Sequence, residues 1–249
     1  MGSVRAMAAL FVDVHSHVIP SGDDGARDLD EGLELCRQAA AHGTTLLFGT
    51  PHAHTPGNPY PITPERRGQV HANYELMKEP CAEFGLELRL GWELAPGGVL
   101  LGDISDYELE GLGAVLVEVP GPWFSFADPL EATWEQMAAV RAAGLEVILA
   151  HPERCVEIQQ RPELLLPFAD DGALVCFNGD SFIGAHNRAA ERCAWELLEL
   201  GLGDLVASDA HRPNRPSLLH EAVEVVAADY GWERAVALAD GSALSRLRR

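Results

Sequence analysis

Apolar residues along this chain fall into short runs that alternate with longer stretches of helical period. Runs at 10–14, 44–50, 86–91, 114–119, 145–150, 173–178 and 204–208 read as strands, because they are short, rich in Val, Leu and Ile, and bounded by turn residues. Between them, apolar positions recur every three or four residues over 30–42, 64–84, 130–143, 162–170, 187–200 and 217–230, which predicts helices. Strands separated by helices must cross over and pair in parallel. Runs that are apolar on both faces suit a sheet closed into a barrel and covered by helices. No repeat, low-complexity tract or linker interrupts the series, so a single domain over 10–249 is expected, preceded by a tail at 1–9.

Charge and cysteine content narrow the classes of function. Eighteen Lys and Arg stand against 38 Asp and Glu, a formal charge of −20. That balance opposes a nucleic-acid surface, since phosphate backbones are held mainly by basic side chains. It reads as a solvated acidic exterior, with a smaller part gathered around cations. Cys36, Cys81, Cys155, Cys176 and Cys193 are odd in number and widely spaced. They give neither a disulfide framework nor a zinc knuckle, and a reducing cytoplasm is expected. The first ten residues lack the apolar run of a signal peptide. No stretch approaches the roughly 18 apolar residues of a membrane span.

The chemistry collects where the predicted strands end. The first ends in Asp13-Val14-His15-Ser16-His17, the second in Thr50-Pro51-His52-Ala53-His54, the third in Gly91-Trp92-Glu93 and the fourth in Val117-Glu118-Val119. The fifth ends in His151-Pro152-Glu153-Arg154 and the last in Ser208-Asp209-Ala210-His211. In an extended chain residues i and i+2 face the same way, so His15 and His17 can meet one metal. Barrel strands converge at their carboxyl face, where active sites sit. Each pair alone is a modest signal; six strand ends together point to metal binding. A buried polar network is the alternative. It would crowd carboxylates without neutralising charge, and the only lysine, Lys78, lies on a predicted helix.

The stretches DVHSHVIPSGDDGARD, LLFGTPHAH, LGWEL, VLVEVP, VILAHPERC and LVASDAHRPNRP resemble the PHP (polymerase and histidinol phosphatase) superfamily. Within it, the chain is most similar to bacterial manganese-dependent protein-tyrosine phosphatases of capsule and exopolysaccharide regulation. The resemblance implies an α/β fold, a distorted (β/α)7 TIM-like barrel, holding three divalent metals. It implies one metal at His15, His17, Glu93 and Asp209, and a second at Glu93, Glu118 and His151. A third would use Asp24, His52 and His211. The imidazole and carboxylate mixture suits Mn, Fe or Zn, and the resemblance favours manganese. Arg154 and Arg215 are implied to grip phosphate, and Asp13 to support a histidine from behind. His54 is open between the site mouth and the exposed surface, as is the Trp123–Phe124 segment between a lip and packing.

The implied activity is a phosphomonoesterase acting on phosphotyrosine in proteins by metal-activated hydroxide, with a tyrosine-kinase tail as a possible partner. Histidinol-phosphate phosphatase or another small-molecule phosphoesterase is the alternative on the same fold. A barrel amidohydrolase is disfavoured because the carboxylated lysine common there has no lysine to supply it, and a degenerate non-catalytic barrel because the ligand set is complete. Cys155 and Arg161 match the Cys-x5-Arg spacing of thiol phosphatases. The residues between them include no glycine and one acid, so chance spacing is expected. Oligomeric state is not fixed by sequence.

Overall fold

The computed structural model describes residues 10–54, 58–97, 101–214, 216 and 219–247. The strands are β1 (Phe11–Ser16), β2 (Thr44–Gly49), β3 (His52–Ala53), β4 (Glu87–Leu90), β5 (Glu93–Leu94), β6 (Ala114–Glu118), β7 (Glu146–Ala150), β8 (Leu174–Asn178) and β9 (Leu205–Ala207). The helices are α1 (Leu29–Ala41), α2 (Pro64–Glu83), α3 (Pro129–Ala142), α4 (Val156–Gln160), α5 (Leu166–Asp170), α6 (Gly179–Phe182), α7 (Arg188–Glu199), α8 (Leu219–Tyr230) and α9 (Trp232–Ala237).

Nine strand segments replace the seven expected because two strands break. Thr50-Pro51 separates β2 from β3, where Pro cannot donate to the ladder, and Gly91-Trp92 separates β4 from β5. Rejoined, they give seven parallel staves: β1–β2–β4 pair in one sheet and β3–β5–β6–β7–β8–β9 in another. The ring closes between β1 and the end of β9 through single bonds rather than a ladder, His17 N–H to Ala210 O (2.8 Å) and Asp209 N–H to His15 O (2.9 Å). The expected distorted barrel is therefore present.

Its lumen is filled by alternate residues: Val14, Ala114, Leu116, Ile148, Ala150, Leu174, Cys176, Leu205 and Ala207 form one buried cluster. The intervening residues, such as Val115, Val117, Val147, Leu149, Val175 and Phe177, pack outward beneath the helices. Among the described residues five helices start at side-chain caps: Asp28 for α1, Thr63 for α2, Asp128 for α3, Asn178 for α6 and Asn187 for α7. The helix expected over 162–170 splits into a 3-10 turn at Pro162–Leu165 and α5, with Pro167 in the first turn of α5. The expected start of α8, Ser217, lies outside the described residues, as do the tail at 1–9 and Arg215. Among the described residues no helix is long and apolar enough to cross a membrane.

Candidate metal centre

The period-two alternation that fills the lumen also delivers its polar lid. Two residues beyond Leu116, Cys176 and Ala207 on the same faces stand Glu118, Asn178 and Asp209, all buried. β1 needs an irregularity to do the same: its register with β2 shifts between Asp13 and Ser16, and both His15 and His17 end in the site. At the ends of β7 and β9 the chain also turns sharply. His151 and Asp209 hold φ of 37° and 49°, the described non-glycine residues at positive φ. Backbone of this kind is strained by about 1–3 kcal/mol per residue, and it persists where surrounding bonds fix it.

The side chains meet in overlapping groups. His15 Nε2 and His17 Nε2 lie 3.3 Å apart. They stand 3.4 and 3.3 Å from Glu93 Oε2, and 3.5 and 3.4 Å from Asp209 Oδ1. His52 Nε2 and His211 Nε2 stand 3.4 and 3.5 Å from Asp24 Oδ1, with His17 completing that group. His151 Nε2 is 2.8 Å from Glu93 Oε1, and Glu118 completes a third group. All nine residues expected as ligands are thus brought together.

These distances test whether a cation fits. Two donors bonded tetrahedrally at about 2.0–2.1 Å sit roughly 3.3–3.4 Å from each other. Most of the separations above match that edge and exceed hydrogen-bond length. His52 Nδ1, His151 Nδ1, Glu93 Oε2 and Glu118 Oε2 are buried without a hydrogen-bond partner. His52 Nδ1 and Glu93 Oε2 come within 2.8 Å yet are not aligned to bond. Donors that crowd without bonding each other suit a shared cation.

Electrostatics agree. Burial opposes protonation of His52, but the Glu93 charge and its other carboxylate neighbour lift it to about 10. Burial likewise opposes a charged His17, yet the Asp209, Asp23 and Glu93 carboxylates around it raise it well above the ordinary value. Burial works against ionised Glu93 and Asp209, and the surrounding imidazoles hold both well below the usual carboxylate range. Protons here take the place of cationic charge. His15 differs: burial holds its pKa down.

A supporting layer surrounds these groups. Asp23 lies within 3.4 Å of His17 Nδ1, accepts the backbone N–H of His52 (3.1 Å), and sits 3.6 Å from Arg66. Asn178 Nδ2 donates to Asp209 Oδ2 at 2.6 Å while its Oδ1 accepts from Asp180 N–H, starting α6. Buried Glu153 accepts from Asn178 N–H and the Ser181 hydroxyl. Sequence reasoning passed over Asp23, Asn178 and Glu153 in these roles; the inward alternation of β8 was the signal for Asn178. Asp13 supports the site through backbone, not through a ring as expected. Its Oδ1 accepts the N–H groups of His15 (3.3 Å) and Ser208 (3.0 Å), tying β1 to the end of β9, and burial raises its carboxyl to about 6.

Over the groups opens a cavity of about 280 Å³, walled by Pro59, Tyr60, Trp123 and Phe124 and floored by His52, Glu93, Glu118 and His151. Arg154 lines it, donating to Asp209 Oδ2 at 3.0 Å and lying 4.5 Å over the Trp123 ring. Trp123 Nε1 donates to Glu118 Oε1 at 3.2 Å, so this segment borders the site and is not mere packing. His54 is buried rather than exposed, with its ring 4.7 Å from that of His52. Cys155 is also buried, and the residues between it and Arg161 are helix α4, not an anion-binding loop. Arg246 pairs with Asp204.

Known proteins share this arrangement of chain. Residues 11–245 match the family described as capsular polysaccharide synthesis, CpsB/CapC. The tyrosine-protein phosphatase YwqE of Bacillus subtilis (strain 168) is 28% identical over 94% of this chain and 91% of its own. The tyrosine-protein phosphatase CpsB of Streptococcus agalactiae serotype III is 26% identical over 90% and 93%. A solved structure from work on YwqE of Bacillus subtilis and CpsB of Streptococcus pneumoniae, called metal-dependent tyrosine phosphatases, superposes with a TM-score of 0.72. It is 26% identical and covers 91% of this chain and 90% of that one. The phosphotriesterase homology protein of Escherichia coli, at TM-score 0.53 and 10% identity over 96% and 98% of the two chains, shares the fold alone. The chain belongs to the CpsB/CapC family of capsular polysaccharide synthesis proteins.

Proposed function

We propose that this protein is a metal-dependent protein-tyrosine phosphatase. The observation that carries the reading is the aromatic-walled cavity set directly over the His, Asp and Glu groups, with Arg154 on its rim. The relatives named as tyrosine-protein phosphatases support the same reading. His15, His17, Glu93 and Asp209 would hold one divalent ion, Glu93, Glu118 and His151 a second, and Asp24, His52 and His211 a third, manganese being the favoured metal. When bound, such ions supply positive charge to phosphoryl oxygens and lower the pKa of water near them.

The rest of the work falls to side chains. Arg154 offers a planar fork of donors to a phosphoryl oxygen while the Trp123 ring backs its guanidinium at 4.5 Å. Arg215, outside the described residues, has the same role in this reading. Tyr60, Trp123 and Phe124 give an aryl group apolar walls and exclude water around it. Asn178 and Asp23 fix the carboxylate and imidazole they touch, so little reorganisation accompanies the reaction. A tyrosine phenolate, with a pKa near 10, departs without a strong side-chain acid. The substrate is a phosphotyrosine protein in the cytoplasm, the tail of a tyrosine kinase being the partner this reading favours.

The test is phosphate release by manganese-loaded protein from a phosphotyrosine peptide, histidinol phosphate and a nucleoside monophosphate. The reading expects the peptide to be hydrolysed with kcat/KM at least tenfold above the others. Equal, feeble rates on all three, or preference for histidinol phosphate, would overturn the substrate assignment.

A further inference from the structure

His54 belongs to none of the three ligand groups above, yet its setting is that of a ligand. It follows His52 by two residues, so both rings leave the same side of the short β3 segment. The ring is 2% exposed, and neither Nδ1 nor Nε2 has a hydrogen-bond partner. Burying an imidazole with both nitrogens unmatched is unfavourable by about 1–3 kcal/mol, and a fold does not keep such a residue without use for it. The backbone around it is firmly placed: His54 N–H donates to Tyr60 O at 3.2 Å, and Ile62 N–H donates to His54 O at 2.9 Å. Phe124 and Tyr60 close over the ring at 5.4 and 5.5 Å between centroids.

One polar group faces it. His54 Nε2 lies 3.6 Å from Glu118 Oε2, an oxygen that also lacks a hydrogen-bond partner. That separation is too long for a bond and close to the edge spanned by two ligands of one transition ion. Donor atoms of His52, His54 and Glu118 all lie within 4.8 Å of one another.

We infer that His54 is a tenth ligand residue, adding an imidazole to the ion held by Glu118 and so tightening the site on the cavity side. This rests on the metal centre proposed above. A ligand buried under Phe124 and Tyr60 and facing Glu118 would strengthen one ion selectively.

Titration of metal-stripped protein with Mn²⁺ alone, read by calorimetry and by electron paramagnetic resonance of free Mn²⁺, tests this in the parent, His54→Ala and His54→Gln. The expected result is a weakening of one Mn²⁺ by tenfold or more in both variants, the remaining sites unchanged. Melting of the metal-free variants should match or exceed the parent, because an unmatched buried ring has been removed. Identical isotherms would overturn the inference, as would a raised KM for phosphotyrosine peptide with metal binding unaltered, which would make His54 a substrate contact. A parent that binds no Mn²⁺ would instead sink the metal centre itself.

Discussion

Arg154 is the only Arg or Lys among the described residues lining the cavity, so replacing it with alanine removes one defined charge. Asp209 engages one of its five N–H donors, and the Trp123 face orients the rest of the guanidinium. A hydrogen bond to a charged partner is worth about 1.5–3 kcal/mol. The Arg154 side chain is 19% exposed, so solvent screening puts the loss toward the lower end, about 1.5–2 kcal/mol. At about 1.4 kcal/mol per factor of ten, kcat/KM for a phosphotyrosine peptide should fall roughly tenfold to thirtyfold. Metal binding should hold or tighten, because Asp209 loses a competing cation. Arg154→Lys should recover only part of the loss, since lysine keeps the charge but not the fork of donors. Steady-state kinetics alongside Mn²⁺ titration separate the cases. A kcat/KM within twofold of the parent, or a loss that tracks lost metal, would refute the phosphate-gripping role.

Other consequences follow from particular contacts. Burial pushes the Cys155 thiol up to about 12, so it should resist alkylation at pH 7.5 in the native protein, and Cys155→Ser should keep kcat within about twofold; a dead variant would revive a thiol mechanism. A Cβ at Gly25 would stand 2.5 Å from both Cβ and carbonyl O of His17. Gly25→Ala should therefore cost about 1–3 kcal/mol in denaturant melts and lower metal content, and unchanged values in both would contradict the packing. His52 stays protonated to about 10 when folded and to about 6.5 when unfolded. Its contribution to metal-free stability is then complete below pH 6.5 and lost as pH rises through 10. Melting of the stripped protein should fall across that window, and Mn²⁺ should abolish the decline; a metal-free melting temperature that rises with pH would count against the carboxylate crowding.

Much of this site could be read from residues alone because most of the candidate ligands end strands, where apolar alternation gives way to His, Asp and Glu. Barrel, parallel pairing and the gathering of His, Asp and Glu at six strand ends follow from that one regularity; Asp24, in the turn between β1 and α1, and the division into three proposed metal groups rest on the family resemblance. The short segments β3 and β5 were not legible as strands, since each is two residues long past Thr50-Pro51 or Gly91-Trp92 and is defined by pairing, β3 with β5 and β5 with β6. Asn178 was legible by alternation, two residues past Cys176, but an amide carries no ligand signal and it passed as a strand end. Glu153 and Asp23 were hidden beside stronger neighbours, His151 and Asp24, because sequence adjacency does not say which carboxylate faces inward. His54 shows the same gap: burial and two unmatched nitrogens are facts of packing, which spacing cannot supply.

The most direct test is phosphate release from a phosphotyrosine peptide by one preparation measured three ways: as isolated, stripped by chelator, and reloaded with Mn²⁺. A metal-dependent phosphatase should lose at least about a hundredfold in kcat on stripping and regain it on reloading, with three ions bound per chain. Undiminished turnover in the stripped protein, or no turnover after reloading to full metal content, would contradict it.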